Sequence, residues 1–159
     1  MAREYGRIWI SAWKDFEFTH LTASEQWLYF ALISQPGLST CGVQSHAPSR
    51  WATLAEDMTA RKVERAVTRL ETARLVVVDR DTDELLIRSH IRYDKPLRTA
   101  NVAKAVARTW EQVASTELQK AILVELARLH GEEEFKDWAG WQTPEIRKLL
   151  QIPIRKDTT

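Results

Sequence analysis

The sequence predicts a mainly α-helical chain with one small β-hairpin: a helix-turn-helix precedes the hairpin and a helical extension follows it. Three observations carry this prediction. Between Pro48 and Ala73, two apolar runs at helical spacing are separated by a break at Thr59, a strong N-cap residue. Two strand-like runs, LVVVD at Leu75–Asp79 and ELLIRSHI at Glu84–Ile91, flank the polar turn RDTD. From Asn101 onward the apolar residues recur only at helical spacing.

Each element has a local reason. Ile8, Trp9, Ile10 and Trp13 form an apolar cluster that predicts a short strand or extended arm against the core. Asp15–Phe18 reads as a turn or a single helical turn. Leu21–Gln35 is the first clear helix, because Thr22 and Glu25 have capping-box spacing and Trp27, Leu28, Ala31 and Leu32 make one apolar face. Pro36-Gly37 ends it. Val43–Ala47 is expected to be a short strand pairing with the hairpin. The next helix starts at Pro48 or Ser49, since proline suits the first helical position. Beyond Thr59, a helix over residues 60–73 turns Val63, Ala66, Val67, Leu70 and Ala73 to one side. Arg61, Arg65, Thr68, Arg69 and Thr72 fall on the other, with Lys62 at the edge. Glu64 and Glu71 share a flank where they can pair with basic neighbours.

Lys95-Pro96 interrupts the pattern, and KPLRTAN reads as a linker or basic arm. Val102, Ala105, Val106, Ala107 and Trp110 mark one helix. Ser115 or Thr116 caps another running to Leu129, with Gly131 as its expected C-cap. Thr143-Pro144-Glu145 starts a last short helix, and a polar RKDTT tail follows. This reading divides the chain into residues 1–98, carrying the helix-turn-helix and hairpin, and a helical extension over residues 99–159.

Composition narrows the function classes. The chain has 159 residues, 44% hydrophobic and 28% charged, which is ordinary for a globular protein. Its net charge is only +1, so a nucleic-acid binder of this composition must segregate its charge. From Ala60 to Arg74 there are five basic and two acidic residues, a local balance of +3, whereas residues 99–159 carry nine of each sign. Cys41 is the only cysteine, which excludes an intramolecular disulfide and fits a reducing cytoplasm. No run approaches a membrane span and the N-terminus lacks a signal-peptide pattern, so a cytoplasmic protein without membrane attachment is expected. The seven tryptophans are expected in core and interface packing.

Short helix, break, basic helix, hairpin is the layout of a winged helix. The helix after Thr59 is then the one that enters a major groove, where arginine pairs bidentately with guanine edges. Arg61, Arg65 and Arg69 are the candidate base contacts, with Thr68 beside them. Lys62 and Thr59 are placed for phosphates at the helix N-terminus, and Arg50 for a phosphate at the start of the preceding helix. Arg80 at the hairpin tip and Arg88 on the return strand complete the candidate DNA contacts. Asp81, Asp83 and Glu84 dilute the charge of that tip.

The stretch LAEDMTARKVERAVTRLETARLVVVD, with Ala55, Thr59, Val63, Ala66, Leu70, Glu71 and Leu75 at matching positions, resembles the winged-helix pattern. With ISAWKDFEF and LTASEQWLYFALISQPGLS, residues 5–98 resemble the N-terminal domain of phage replisome organisers and replication initiators, of the kind common in actinobacterial phages. The resemblance implies origin or operator binding, often as a homodimer or higher oligomer. One departure is Arg74, where many relatives place glycine, so a looser or extended helix end is expected.

Other classes are weaker. His20, His46, His90 and His130 are scattered, with no metal-ligand spacing, and the five glycines form no phosphate loop. No catalytic residue, metal or cofactor is therefore expected. Transcriptional control at an operator is the alternative to replication initiation, and a protein-interaction module without DNA binding is the third reading. In any of these readings the Trp-rich C-terminal helices are expected to brace the domain, dimerise, or dock a replication protein.

Overall fold

In the computed structural model, which describes residues 3–155, a three-stranded antiparallel sheet stands at the middle of a mainly α-helical chain. Val76–Asp79 (β2) and Glu84–Ile87 (β3) form the hairpin, and Val43–Ser45 (β1) pairs with the other edge of β3. The order is β1-β3-β2, with Val43 opposite Leu86 and Val76 opposite Ile87. Side chains alternate across a strand, and here both faces are covered. Leu85, Ile87, Val76 and Val78 belong to one apolar cluster, while Leu86 and Val43 belong to a second.

The first face is covered by helices from the N-terminal part of the chain. Phe16–Thr19 (α1) is capped by Asp15, and Ala23–Ile33 (α2) carries the complete capping box of Thr22 and Glu25. Pro48–Ala52 (α3) buries Trp51 completely, and Ala60–Thr72 (α4) buries Val63, Ala66, Val67 and Leu70. Both α2 and α3 pack against α4. Gln44 on β1 reaches across to this side, its amide donating to the Leu32 carbonyl at 3.0 Å.

The second face is covered by Ala100–Gln112 (α6), Thr116–His130 (α7) and Pro144–Gln151 (α8), preceded by the short helix His90–Asp94 (α5). Two polar contacts fasten α7. The Glu84 carboxylate on β3 accepts from the Ala114 and Ser115 amides at 3.1 and 2.7 Å, capping the helix N-terminus. Arg92 on α5 donates twice to Glu132, at 3.0 and 2.6 Å, and its guanidinium lies over the Phe135 ring. A division at residue 98 therefore passes through the second cluster, which joins Cys41, Val43, Leu86, Ile91 and Leu97 to α6, α7 and α8.

Several expectations change. Residues 3–9 form no strand, and Ile10–Lys14 is an exposed 3-10 helix without a buried residue. The segment is instead an arm laid on α2 and α5, the other form expected of it: the Trp9 indole donates to the Tyr93 carbonyl at 3.1 Å, and Trp13 meets Phe18 and Phe30 edge-on. The return strand stops at Ile87, not Ile91, because the chain turns into α5. The end of α4 is tight, not loose. Arg74 takes the left-handed conformation (φ 59°), Arg74 N–H donates to Glu71 O at 2.9 Å and Leu75 N–H to Leu70 O at 3.0 Å, a Schellman cap. Arginine thus occupies a glycine-like backbone position at some cost in strain. The tryptophans divide: Trp51 and Trp141 are buried, while Trp9 and Trp13 are exposed. Residues 156–159 of the polar tail lie outside the described residues.

Gly42 is required where it stands. Its φ is 92°, and a Cβ there would meet the Cβ of His90 at 2.7 Å. The buried His90 ring is thereby pressed against the backbone. Burial lowers its pKa from 6.5 to about 4, against the attraction of Asp94, with Arg3 adding to the lowering.

Two outcomes are expected. A fragment ending at residue 98 exposes Val43 and Leu86 of the sheet, so it should unfold without a cooperative transition and bind a hydrophobic dye, where the full chain unfolds cooperatively. Because His90 binds a proton less readily folded than unfolded, its stabilisation is complete above about pH 6.5 and is lost as pH falls towards 4. Denaturant unfolding across that window should show the decline, and His90→Gln should remove that part of the slope.

Candidate nucleic-acid interface

The candidate interface is built on α4. Thr59 caps it, its hydroxyl accepting from the Lys62 amide at 3.2 Å, so the helix begins where the sequence places it. Its apolar residues are held between α2, α3 and the sheet. Arg61, Arg65, Thr68 and Thr72 follow at steps of four, three and four residues, which aligns them as one stripe, and all are exposed. At 1.5 Å per residue, the helix presents this stripe along about 17 Å.

The stripe has two different borders. On one side, Arg69 reaches Glu25 of α2 at 4.0 Å and Lys62 donates to the Asp57 carbonyl at 2.8 Å. On the other, Glu64 and Glu71 grip Arg80. The Arg80 guanidinium lies 2.7 Å from Glu64 Oε1 and 2.8 Å from Glu71 Oε1, and His46 Nε2 lies 2.9 Å from Glu64 Oε2. These carboxylates raise the Arg80 pKa. Burial opposes ionisation of Glu64, but Arg80 and His46 outweigh it and hold the carboxyl below its usual range. The hairpin tip is thus fastened to the flank of α4.

The candidate residues separate accordingly. Arg61, Arg65 and Arg50 make no ion pair or side-chain hydrogen bond among the described residues. Thr68 donates its hydroxyl proton to the Glu64 carbonyl at 3.1 Å, which leaves its oxygen free only to accept. Arg80 is engaged by the protein itself. Arg88 follows the end of β3, its N–H donating to Leu75 O at 3.1 Å, so it stands at the base of the hairpin near the C-terminal end of α4. The structure therefore does not bring Arg80 or Arg88 into the stripe. Thr72 belongs to it and lies on the polar face that the helical wheel already outlines, although the candidate contacts omit it. Its hydroxyl donates to Thr68 O at 3.1 Å.

Two further features bound the chemistry. Among the described residues, no group of three His, Cys, Asp or Glu side chains is placed to hold a metal ion. No described helix is long and apolar enough to cross a membrane.

Arg80→Ala leaves Glu64 and Glu71 side by side without their shared cation. Arg80 is about half exposed, so the expected loss of stability is about 1 kcal/mol or less at low salt and shrinks as salt rises. Denaturant titrations at two ionic strengths measure both. No family model, curated protein or solved structure matches the chain.

Proposed function

We propose that this chain is a winged-helix protein that binds double-stranded DNA through α4 and catalyses no reaction. The observation that carries the reading is the exposed stripe Arg61, Arg65, Thr68 and Thr72, on a helix whose opposite face is fully buried. Its two arginines have no ion pair among the described residues, whereas Arg80, Arg92 and Arg128 all have carboxylate partners. Element order and a sheet ordered β1-β3-β2 support the winged-helix assignment, with α3 and α4 as the helix-turn-helix.

The chemistry follows from the groove. A helix of this width fits the major groove, and Arg61 and Arg65 suit the O6 and N7 acceptors of guanine. Thr68, able only to accept, suits an amino group of adenine or cytosine. Thr59 and Lys62 at the helix N-terminus, Arg50 on α3 and Arg69 on the flank suit phosphates. Arg80 shapes the interface by neutralising Glu64 and Glu71, which would otherwise repel the backbone. The helices α6, α7 and α8 lie across the sheet from α4 and leave its stripe clear. The resemblance to phage replication initiators makes a replication origin the expected target.

Genomic fragments retained by the protein should share one site, lying near a replication gene; a site overlapping a promoter assigns an operator role instead. On that site, Arg61→Ala and Arg65→Ala should each weaken binding by about 1–3 kcal/mol, measured by fluorescence anisotropy. Affinity should also fall steeply as salt rises. Undiminished binding by the double variant, or a flat salt response, removes α4 from the interface and favours a protein-interaction module.

A further inference from the structure

A second site lies away from the α4 stripe. The N-terminal arm, α2, the base of the hairpin, α5 and α7 enclose a cleft of about 320 Å³. That is within the size range of small-molecule sites. Trp9, Phe18, Tyr29, Phe30 and Ile33 contribute apolar wall. A packing defect would be lined by such groups alone, because buried polar atoms almost always find partners. This cleft has two that do not. His90 is buried, its ring bonded to the Thr40 backbone, yet Nε2 has no hydrogen-bond partner and stops 3.8 Å from Asp94 Oδ2. Arg3 donates through Nη2 to the Ile33 carbonyl at 3.1 Å and lies 3.6 Å from Asp94 Oδ1, while its Nη1 is buried without a partner.

The charges around the cleft decide the class of ligand. Its carboxylates are already answered: Asp94 by Arg3, Glu125 by Arg92 and Arg128, and Asp15 by the α1 amides of Glu17 and Phe18. Three of its six arginines are not. Arg74 and Arg88 are exposed and make no ion pair among the described residues, and Arg7 donates only to the Asp94 carbonyl, at 3.4 Å. A cleft with aromatic walls, unpartnered polar atoms in its floor and unanswered guanidinium groups at its mouth favours one kind of guest. We propose that it binds a small amphipathic organic anion, an aryl carboxylate in the simplest case, with the aryl body against the aromatic wall and the carboxylate towards Arg74 and Arg88. This assigns Arg88 to the cleft. It is independent of the α4 reading, since neither arm of the test involves DNA.

The test uses the full chain and two probes of the same shape, 2-naphthoate and the neutral 2-naphthamide, titrated by calorimetry and by amide chemical shifts. The expected result is one saturable site per chain, with naphthoate bound about tenfold or more tighter than naphthamide, as charge-assisted hydrogen bonds require. Shifts should centre on Tyr29, Ser89 and His90. The double variant Arg74→Ala/Arg88→Ala, whose exposed side chains make no ion pair or hydrogen bond among the described residues, should weaken naphthoate about tenfold or more. Lys104→Ala, on exposed α6 surface, should change nothing. Equal binding of the two probes, unweakened binding by the double variant, or no saturable site overturns the proposal. So do shifts confined to the exposed Tyr5, Ile10, Trp13 and Phe16.

Discussion

Burial of β3 on both faces is the constraint from which the rest of the architecture follows. Leu85, Leu86 and Ile87 are consecutive, point alternately to opposite sides, and are all buried. Strands of three or four residues are marginal by themselves. Each fully buried aliphatic side chain contributes about 1.5–3 kcal/mol, so this sheet persists because helices lie on both of its faces. The N-terminal helices supply one cover and the C-terminal helices the other. The C-terminal part of the chain is therefore half of the sheet's environment and not an appendage to a finished domain. Glu84 connects the two functions of β3, since it stands in the strand register opposite Asp79 and also caps α7.

The same constraint orients α4. Its inward residues share a cluster with Val76, Val78, Leu85 and Ile87, so the helix cannot roll without opening the core. The Arg61 stripe is consequently held outward by packing and not by any contact of its own. The hairpin tip adds a lateral restraint through Arg80. A cation at the tip of a wing suggests a phosphate contact when the sequence is considered by itself. Folded, its nearest partners are carboxylates one and three turns along α4, and it cancels their charge. The cleft arises from another consequence of the packing: the arm rests on α2 and α5 through Trp9 and Trp13 without filling the space beneath, where His90 and Arg3 keep unpartnered nitrogens.

Much of this was legible in the residues, because the signals were local. The capping box at Thr22 and Glu25, the caps at Thr59 and Thr143, and the helical spacing in α4 each depend on neighbours within one or two turns. The third strand at Val43 was also legible. Of the two readings of the arm, the strand does not form and the arm against the core does, with Tyr5, Ile8, Ile10 and Trp13 left exposed because the arm covers α2 and α5 from one side only. The tight end of α4 was missed because Arg74 hides a glycine-like conformation. One overlooked signal was present: VVV and LLI do not alternate with polar residues, which marks a strand covered on both faces.

The sequence by itself determined where helices start, which side of α4 is apolar, and that its polar side is basic, since hydrophobic period and capping are properties of short segments. Tertiary structure alone decided which of those basic residues remain available. Arg61 and Arg65 stand free while Arg80 is neutralised and Arg88 faces a cleft, because ion pairing depends on approach between residues distant in the chain. The same holds for the cleft itself, whose arm, α2, α5 and α7 are brought together only by burial of the sheet on both sides.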